Sequence, residues 1–207
     1  MVNLLGKIVR RLSRRPDFDH LIIVAKPLEG TLPIYKARIP FDFEVLPPDI
    51  EEVEGRLAHV PFEHRSDIEQ RIQHGDRCCV AEFNEQIIYA SWTAFGTCYS
   101  YALDREYELA KGETYLYSAY TLPKFRGYGI HPAVTCRRLR LLRSWGYKRD
   151  LAFIEPKNLA AMRMPEELGY AKVGITGFIE VFGFRWYYHR DGRAFSALKR
   201  RNYWQKK

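Results

Sequence analysis

The alternation of apolar and polar residues along the chain predicts a series of β-strands. Residues 41–45, Phe-Asp-Phe-Glu-Val, alternate with the two-residue period of a strand, and two prolines follow them. Residues 21–25 form a short apolar run that also predicts a strand, and the proline-rich residues 26–40 predict an irregular connection. Further strands are predicted at residues 78–83, 86–93, 113–121, 151–154, 171–182 and 184–189. Asn84-Glu85 and Gly183 lie at the turns of two predicted antiparallel hairpins.

Helical periodicity and end signals predict four helices in the body of the chain. They cover residues 50–57, 63–73, 132–145 and 158–168. Asp49 is the expected N-cap of the first, Pro132 suits the first turn of the third, and Gly169 ends the fourth. The polar run within residues 96–111 predicts a helical or looped insertion. From residue 41 the order is β-α-α-β-β-β-α-β-α-β-β, which indicates a mixed α/β sheet with helices on both faces.

The basic charge of the chain is concentrated at its two ends. The net charge is +8, but residues 1–15 hold five basic residues and no acidic one, and residues 185–207 hold eight basic residues and one acidic residue. Because no basic stripe with a nucleic-acid-binding signature runs through the body, nucleic acid is not expected as the main partner. Residues 2–15 predict a basic amphipathic helix, which either packs on its own domain or makes a weak contact with a membrane surface through residues 1–15.

The cysteines and the lack of targeting signals bear on cofactors and compartment. Cys78, Cys79, Cys98 and Cys136 lack the spacing of a zinc site, so no metal is expected. The first residues do not read as a secretory signal, and no run of about 18 apolar residues predicts a membrane-spanning helix. A cytoplasmic location with free thiols is therefore expected. The length of 207 residues favours one decorated domain and leaves the oligomeric state open.

A glycine-rich loop between a predicted strand and a predicted helix carries the clearest chemistry. It reads Arg126-Gly127-Tyr128-Gly129-Ile130-His131. A strand-to-helix turn of this kind exposes several backbone N–H groups at the positive end of the helix, which suits a pyrophosphate. Glycines let the backbone approach the phosphates closely, and the arginine can add a charge-assisted hydrogen bond.

The loop and its surroundings resemble the GCN5-related N-acetyltransferase (GNAT) superfamily. That superfamily typically shows V-x-P-x-Y-R-G-x-G-I-G, then a helix, a strand, N-x-x-A and L-G-F. The chain has T-L-P-K-F-R-G-Y-G-I-H from Thr121 to His131, followed by N-L-A-A from Asn158 and E-L-G-Y from Glu167 at the usual distances. The resemblance implies an acyl-CoA-dependent N-acyltransferase with acetyl-CoA as its co-substrate.

The resemblance also implies a fold and a division of the chain. It covers residues 41–190 and implies a mixed, mostly antiparallel central sheet with helices on both faces, in which two parallel strands splay apart at the CoA site. Residues 1–40 would then form an N-terminal extension, a basic helix plus a strand packed on the core. Residues 191–207 would form a basic C-terminal tail.

The binding of acetyl-CoA is assigned by the same resemblance to named residues. The loop amides would hold the pyrophosphate, and the strand before the loop would pair with the pantetheine arm. These cofactor-binding residues are Thr121, Leu122, Arg126, Gly127, Tyr128, Gly129, Ile130, His131 and Asn158. Asn158 can also serve as an ordinary helix N-cap. His131 replaces the last glycine of the motif, so its side chain either crowds the phosphates, pairs with them when protonated, or is a tolerated variation.

Two groups that transfer protons in the family are missing from their expected positions. Pro165 stands where a tyrosine often protonates the CoA thiolate, and Leu116 stands where the strand before the loop often has a glutamate. Tyr117, Tyr120 or Tyr128 could replace the acid, although each can also be a packing or rim residue, and Glu113 and Glu82 are the nearest carboxylates. The candidate catalytic residues are Tyr117, Tyr120 and Glu113. A positioned amine can also react while a water chain removes its proton.

Three functions therefore stay open at the level of sequence. The first is N-acyl transfer by direct attack of an amine on a small-molecule or sugar-like acceptor. The second is a catalytically weak or inactive CoA-binding module in an assembly, which the two missing groups favour. The third is a peripheral membrane enzyme whose basic N-terminal residues bring it near a lipid or envelope-precursor substrate.

Overall fold

Eight strands of the described chain form one large sheet, and two more form a separate hairpin. The computed structural model describes residues 17–61, 65–181 and 184–191. The strands are β1 (Asp17–Pro27), β2 (Asp42–Val45), β3 (Arg77–Phe83), β4 (Gln86–Phe95), β5 (Thr97–Ser100), β6 (Arg105–Glu108), β7 (Glu113–Thr121), β8 (Arg149–Ile154), β9 (Ala171–Val181) and β10 (Phe184–Asp191). The large sheet has the order β10-β9-β1-β8-β7-β4-β3-β2, and β5 pairs with β6.

The large sheet is antiparallel at every junction except one. β7 and β8 run parallel, while the other neighbours pair in antiparallel fashion. This confirms the mixed, mostly antiparallel sheet. β1, which the sequence analysis assigned to an extension packed on the core, lies within the sheet between β8 and β9.

Four α-helices within the described residues flank the sheet. They are α1 (Ile50–Leu57), α2 (Arg65–Gln73), α3 (Ile130–Ser144) and α4 (Met164–Leu168). The predicted cap of α1 is present, since the Asp49 carboxylate accepts a hydrogen bond of 2.8 Å from the backbone N–H of Glu52. The fourth helix is shorter than predicted: residues 161–163 form a 3-10 turn and the α-helix begins at Met164. Pro165 explains this start, because proline lacks the N–H that an interior helical position needs.

The helices cover both faces of the sheet, as predicted. Leu116 of β7 packs with Leu139 of α3 and Leu168 of α4 on one face. Its neighbours Tyr115 and Tyr117 point to the opposite face, because side chains alternate along a strand. On that face the β5–β6 hairpin covers one half of the sheet, α1 and α2 cover the other, and Tyr117 contacts both clusters.

A buried ion pair fixes α3 to the sheet. Arg138 of α3 donates to both carboxylate oxygens of Asp150 on β8, at 2.9 Å and 2.5 Å. Thr114 of β7 donates to the same carboxylate at 2.6 Å, and the hydroxyl of Tyr170 also donates to it. Because a buried ion pair that loses one partner leaves an uncompensated charge, about 3–5 kcal/mol of stability depends on this contact.

Residues 28–41 connect β1 to β2 and lie along α3. Arg140 and Arg143 of α3 donate to the carbonyl oxygens of Pro33 and Gly30, at 2.8 Å and 2.9 Å. The irregular connection predicted for residues 26–40 is confirmed from residue 28 onward, whereas Lys26 and Pro27 belong to β1. The connection reaches the N-terminal end of α3, where the backbone N–H of Arg38 donates to a loop carbonyl.

Several local predictions meet a definite outcome in the described residues. The Asn84-Glu85 hairpin is confirmed, with φ of 50° and 60° at the two turn residues. The prediction of a helix or loop within residues 96–111 was wrong, because the segment forms the β5–β6 hairpin around buried Leu103 and Tyr107. The four cysteines are buried free thiols. The basic helix at 2–15, the turn at Gly183 and the tail beyond residue 191 lie outside the described residues.

No helix in the described part of the chain has both the length and the apolar character required to cross a membrane.

Candidate active site

The glycine-rich loop joins the end of β7 to the start of α3, as predicted. Residues Pro123–Phe125 form a 3-10 turn, and α3 begins at Ile130 with Gly129 as its N-cap. Gly127 and Gly129 have φ of 83° and 74°, the left-handed region in which glycine has no steric penalty. The two glycines therefore shape the turn that directs the chain from strand to helix.

The backbone amides of this loop are available to a ligand. Among the described residues, the N–H groups of Gly127, Tyr128 and Gly129 donate to no backbone carbonyl. The first N–H groups of α3 also lack partners within the helix, as at any helix start. No side chain caps the helix. Free amides at the positive end of a 15-residue helix form a site for an anion.

Arg126 is positioned beside the amides. Its Nε donates to the carbonyl oxygen of Thr121 at 3.2 Å, and its guanidinium lies 5.4 Å from the ring centre of Tyr120. No carboxylate pairs with Arg126 within the described part of the chain. The side chain therefore adds an exposed positive charge to the mouth of the loop.

His131 turns away from the loop and into the sheet. Its Nδ1 lies 2.9 Å from the hydroxyl of Tyr89, and the two ring centres are 5.7 Å apart. Burial lowers the pKa of His131 to about 4, with a smaller effect from the positive charge of Arg138. The imidazole is thus neutral near pH 7. Of the three roles that the sequence left open, this orientation favours a tolerated variation.

Tyr35 packs against the loop from the β1–β2 connection. A Cβ atom built on Gly129 would lie 2.7 Å from Cε1 of Tyr35. The backbone N–H of Arg38 donates to the carbonyl oxygen of Tyr128 at 2.8 Å. Sequence reasoning missed these contacts, because residues 26–40 show no motif and lie far from the loop along the chain.

The parallel strands β7 and β8 separate beside the loop. Their pairing extends from Glu113 and Arg149 to Leu116 and Ala152, although both strands continue beyond it. A β-bulge on β7 follows: Ser118, with φ of 46°, and Ala119 lie opposite one residue of β4.

A cavity of about 170 Å³ occupies this gap and extends under the β5–β6 hairpin. It lies at the loop end of β7. A pyrophosphate at the loop and a reacting group in the gap can therefore belong to one extended ligand.

Comparison with known proteins agrees with this geometry. A model of the acetyltransferase (GNAT) family matches residues 47–170, more than half of the chain. The chain belongs to the GNAT acetyltransferase family. No curated protein matches it.

Solved structures of similar fold include proteins with GNAT names. A GCN5-related N-acetyltransferase from Sphaerobacter thermophilus superimposes with a TM-score of 0.55 at 13% identity, over 84% of this chain and 54% of that one. Another, from Kribbella flavida, superimposes with a TM-score of 0.53 at 17% identity, over 76% of this chain and 56% of that one. A Drosophila protein superimposes with a TM-score of 0.54 at 13% identity, over 88% of this chain and 57% of that one. The chain thus spans little more than half the length of these structures, and at such identities the likeness shows the fold alone.

The positions at which GNAT proteins often transfer protons hold apolar side chains in this member. Leu116 is 5% exposed and belongs to the core under α3. Pro165 lies in the first turn of α4. Asn158, expected at the cofactor, accepts a hydrogen bond of 3.1 Å from the backbone N–H of Ala161 and so caps the 3-10 turn. The capping role is thus present, and cofactor contact by Asn158 stays a prediction.

The carboxylates suggested by sequence lie away from the gap. Glu113 is at the opposite end of β7, where it pairs with Nε of Arg149 at 3.3 Å and accepts from the backbone N–H of Ala110 at 3.1 Å. Glu82 of β3 pairs with Arg56 of α1 at 2.6 Å. These contacts are those of structural ion pairs.

The tyrosines suggested by sequence occupy different positions. Tyr128 is an exposed loop residue, and Tyr120 lies beyond the bulge against the cluster under α1 and α2. Tyr117 directly follows the last paired residue of β7 and lines the gap cavity. Of the three, Tyr117 is therefore the one at the splayed strands.

Asp76 contacts Tyr117 and was not found from the sequence. It follows α2 after the turn at Gly75, is 6% exposed, and accepts a hydrogen bond from the Tyr117 hydroxyl through Oδ2. Burial raises its pKa to about 7, although the Tyr117 hydroxyl and the charge of Arg71 oppose this shift. No local signal marks Asp76, because its partner lies 41 residues away along the chain.

Arg71 completes this buried group of side chains. It is 5% exposed, its Nη2 donates to the Ser118 hydroxyl at 3.3 Å, and its guanidinium lies 5.3 Å from the ring centre of Tyr117. The arginine therefore connects α2 to the bulge of β7. Among the described residues, no group of three or more His, Cys, Asp or Glu side chains is placed to hold a metal ion.

Proposed function

We propose that the protein is an acyl-CoA-dependent N-acyltransferase, which transfers an acetyl group from acetyl-CoA by direct attack of an amine. The observation that carries this proposal is the position of the free loop amides at the same end of β7 as the gap between β7 and β8. The acceptor is a small molecule or a sugar-like compound that bears an amine.

The pyrophosphate of the cofactor binds the amides from Gly127 to His131. These donors lie at the start of α3, where the helix dipole also favours negative charge. Arg126 adds a charge-assisted hydrogen bond from the mouth of the loop. The neutral, inward-facing ring of His131 leaves room for the phosphates without contributing charge.

The pantetheine arm lies along β7 between the loop and the gap. The backbone N–H of Leu122 already donates to the Ile88 carbonyl at 2.9 Å, on the side of β4. Backbone groups alternate sides along a strand, so Thr121 presents its N–H to the gap, together with the carbonyl that already accepts a hydrogen bond from Arg126. Thr121 is therefore the main backbone partner of the arm, and Leu122 supports it by fixing the strand to β4.

The thioester reaches the gap beside the bulge. An extra residue in a bulge leaves a backbone group outside the ladder, and Ser118 and Ala119 form such a site. An N–H directed at the thioester carbonyl would stabilise the oxyanion that forms when the amine attacks. Since the amine and the thioester meet in one gap, positioning supplies part of the rate.

The direct test is release of free CoA thiol from acetyl-CoA with a panel of primary amines. Steady release that depends on both the amine and the protein is the expected result. Acetyl-CoA should also raise the melting temperature, because a ligand that binds only the folded state stabilises it. If the cofactor neither stabilises the protein nor reacts, the proposal is wrong.

A CoA-binding module without turnover is the alternative that Leu116 and Pro165 favour. These residues occupy positions where the family often has its base and acid. In this case CoA and acetyl-CoA would stabilise the protein equally, and no amine of the panel would release thiol. The same pair of measurements therefore separates the enzyme from the binding module.

A further inference from the structure

Two cavities on the β5–β6 side of the sheet share a wall of aromatic side chains. The larger is the gap cavity of about 170 Å³ between β7, β8 and the hairpin. The smaller, of about 20 Å³, lies behind it against the end of α2. Tyr99, Tyr101 and Tyr117 line both. The hydroxyl of Tyr117 donates a hydrogen bond to Asp76, which lines the smaller cavity.

We propose that the acceptor amine binds as a cation in the gap cavity beside Tyr117, and that its proton passes through the Tyr117 hydroxyl to Asp76. This inference rests on the proposed function and adds to it the charge of the acceptor and the path of the proton. Tyr117 is the catalytic residue, and Asp76 is a positioning residue that acts through it.

The walls of the gap cavity suit a cation. They include the rings of Tyr99, Tyr101, Tyr115, Tyr117 and Phe153, and Glu155 also lines the cavity. Among the described residues none that lines this cavity is lysine, arginine or histidine. Aromatic faces attract an ammonium group through the ring quadrupole, and a carboxylate adds to that attraction.

Asp76 has the properties of a proton acceptor behind this wall. Its Oδ2 accepts from Tyr117, and a hydrogen bond from the backbone N–H of Phe95 also favours its carboxylate form. The smaller cavity is large enough for one water molecule, which needs about 10–15 Å³. Because burial brings its pKa to about 7, Asp76 can both gain and lose a proton near neutral pH.

Several other ionisable side chains surround Asp76 and influence its pKa. The residues that line the small cavity or act on Asp76 by charge are Arg71, His74, Arg77, Cys98, Tyr99, Tyr101, Glu106 and Tyr117. The positive charges of Arg71 and Arg77 favour the carboxylate form, whereas burial opposes it more strongly. Burial also raises the pKa of Tyr117 well above its usual range, with Asp76 adding to the effect, so Tyr117 stays a phenol.

The reaction then balances as follows. The bound ammonium gives one proton to the Tyr117 oxygen as Tyr117 gives its own proton to Asp76. The lone pair of the free amine forms the new C–N bond to the thioester carbonyl carbon, and the C–S bond breaks with its electron pair on sulfur. The second proton of the nitrogen passes through water to the thiolate. Asp76 releases its proton to solvent after the amide and CoA have left.

The pH profile of kcat/KM tests this path. With diaminobutane as acceptor, we expect kcat/KM to rise through pH 7, because only the carboxylate form of Asp76 can accept the proton. Asp76→Asn and Tyr117→Phe should each lower kcat/KM by about 10²-fold or more. Each should also abolish the rise in kcat/KM near pH 7, which is the limb of the pH profile that Asp76 causes. Glu106→Gln is the matched control, since Glu106 is a second carboxylate that lines the same small cavity while the Tyr117 hydroxyl donates to Asp76, and this variant should keep the rise in kcat/KM near pH 7.

The outcomes separate the proton path from the proposed function. Acetyl-CoA should still stabilise both variants, which shows that they are folded and bind the cofactor. If the wild-type protein releases CoA but either variant keeps its rate and its limb near pH 7, the proton path is wrong and acyl transfer stands. If aniline, whose amine is neutral at pH 7, is acetylated as well as diaminobutane, the cationic acceptor is wrong. If the wild-type protein releases no CoA with any amine, both proposals fail.

Discussion

The hydroxyl of Tyr89 lies 2.9 Å from Nδ1 of His131, so the residue in place of the last motif glycine faces the sheet. We expect His131→Ala to leave the affinity for acetyl-CoA unchanged at pH 7, because the ring is neutral and does not face the loop. The variant should lose about 0.5–1.5 kcal/mol of unfolding free energy, because the buried Tyr89 hydroxyl loses its hydrogen bond to the ring. Calorimetric titration and urea unfolding measure the two effects, and a large loss of affinity would show that the ring contacts the phosphates.

The stability difference between the wild-type protein and His131→Ala should depend on pH. The pKa of His131 is about 4 in the folded protein and 6.5 in the free side chain, so the unfolded chain binds the proton more tightly. The stabilisation by the neutral ring is therefore complete above about pH 6.5 and is lost as pH falls towards 4. The difference in unfolding free energy between wild type and His131→Ala should shrink over this window. A constant difference would contradict the buried position of the ring.

The loop position of the pyrophosphate is tested by two matched glycine variants. Gly127 and Gly146 have φ of 83° and 87°, and a Cβ atom at either would meet nothing within 4 Å. They flank opposite ends of α3. Gly127→Glu should abolish stabilisation by acetyl-CoA, because it adds negative charge at the anion site, whereas Gly146→Glu should keep it. If acetyl-CoA stabilises both variants equally, the loop does not bind the pyrophosphate.

The elements predicted well from the sequence are those whose signals are local. The two-residue turn at Asn84 and Glu85 and the Asp49 cap depend on neighbouring residues and are present. The β5–β6 hairpin was missed because a short strand rich in charged residues has few apolar positions, and only Tyr107 of β6 is buried. Asp76 could not be recognised, since its proximity to Tyr117 exists only after α2 packs beside β7.

The contact between Tyr35 and Gly129 predicts unequal costs at the two loop glycines. Gly127→Ala should cost only the strain of a left-handed alanine, about 1–2 kcal/mol. Gly129→Ala should cost more, because its Cβ would approach Cε1 of Tyr35 to 2.7 Å. Tyr35→Ala should remove this excess. Urea unfolding measures the coupling energy between Tyr35 and Gly129. It is applied to the two single glycine variants, to Tyr35→Ala and to the Tyr35→Ala/Gly129→Ala double variant. Equal costs in both backgrounds would contradict the contact.

Asp76 should reduce the stability of the protein at high pH. Its pKa is about 7 in the folded state and 3.8 in the free side chain, so the folded protein binds the proton more tightly. Stability attributable to this group therefore falls as pH rises from about 4 to 7. Asp76→Asn removes the titration and should be more stable than wild type above pH 7 by up to ~4 kcal/mol, with little difference near pH 4. Urea unfolding at the two pH values checks this, and a gap that narrows with rising pH would contradict it.

The place of β1 between β8 and β9 has a consequence for the order in which the protein is made. A ribosome delivers β1 early, yet its partners in the sheet begin only at residues 149 and 171. The nascent chain must keep an apolar strand unpaired until most of its length has emerged, a situation in which aggregation competes with folding. The β9–β10 edge of the sheet is made last, so a truncation that removes β9 and β10 should leave β1 with an exposed edge.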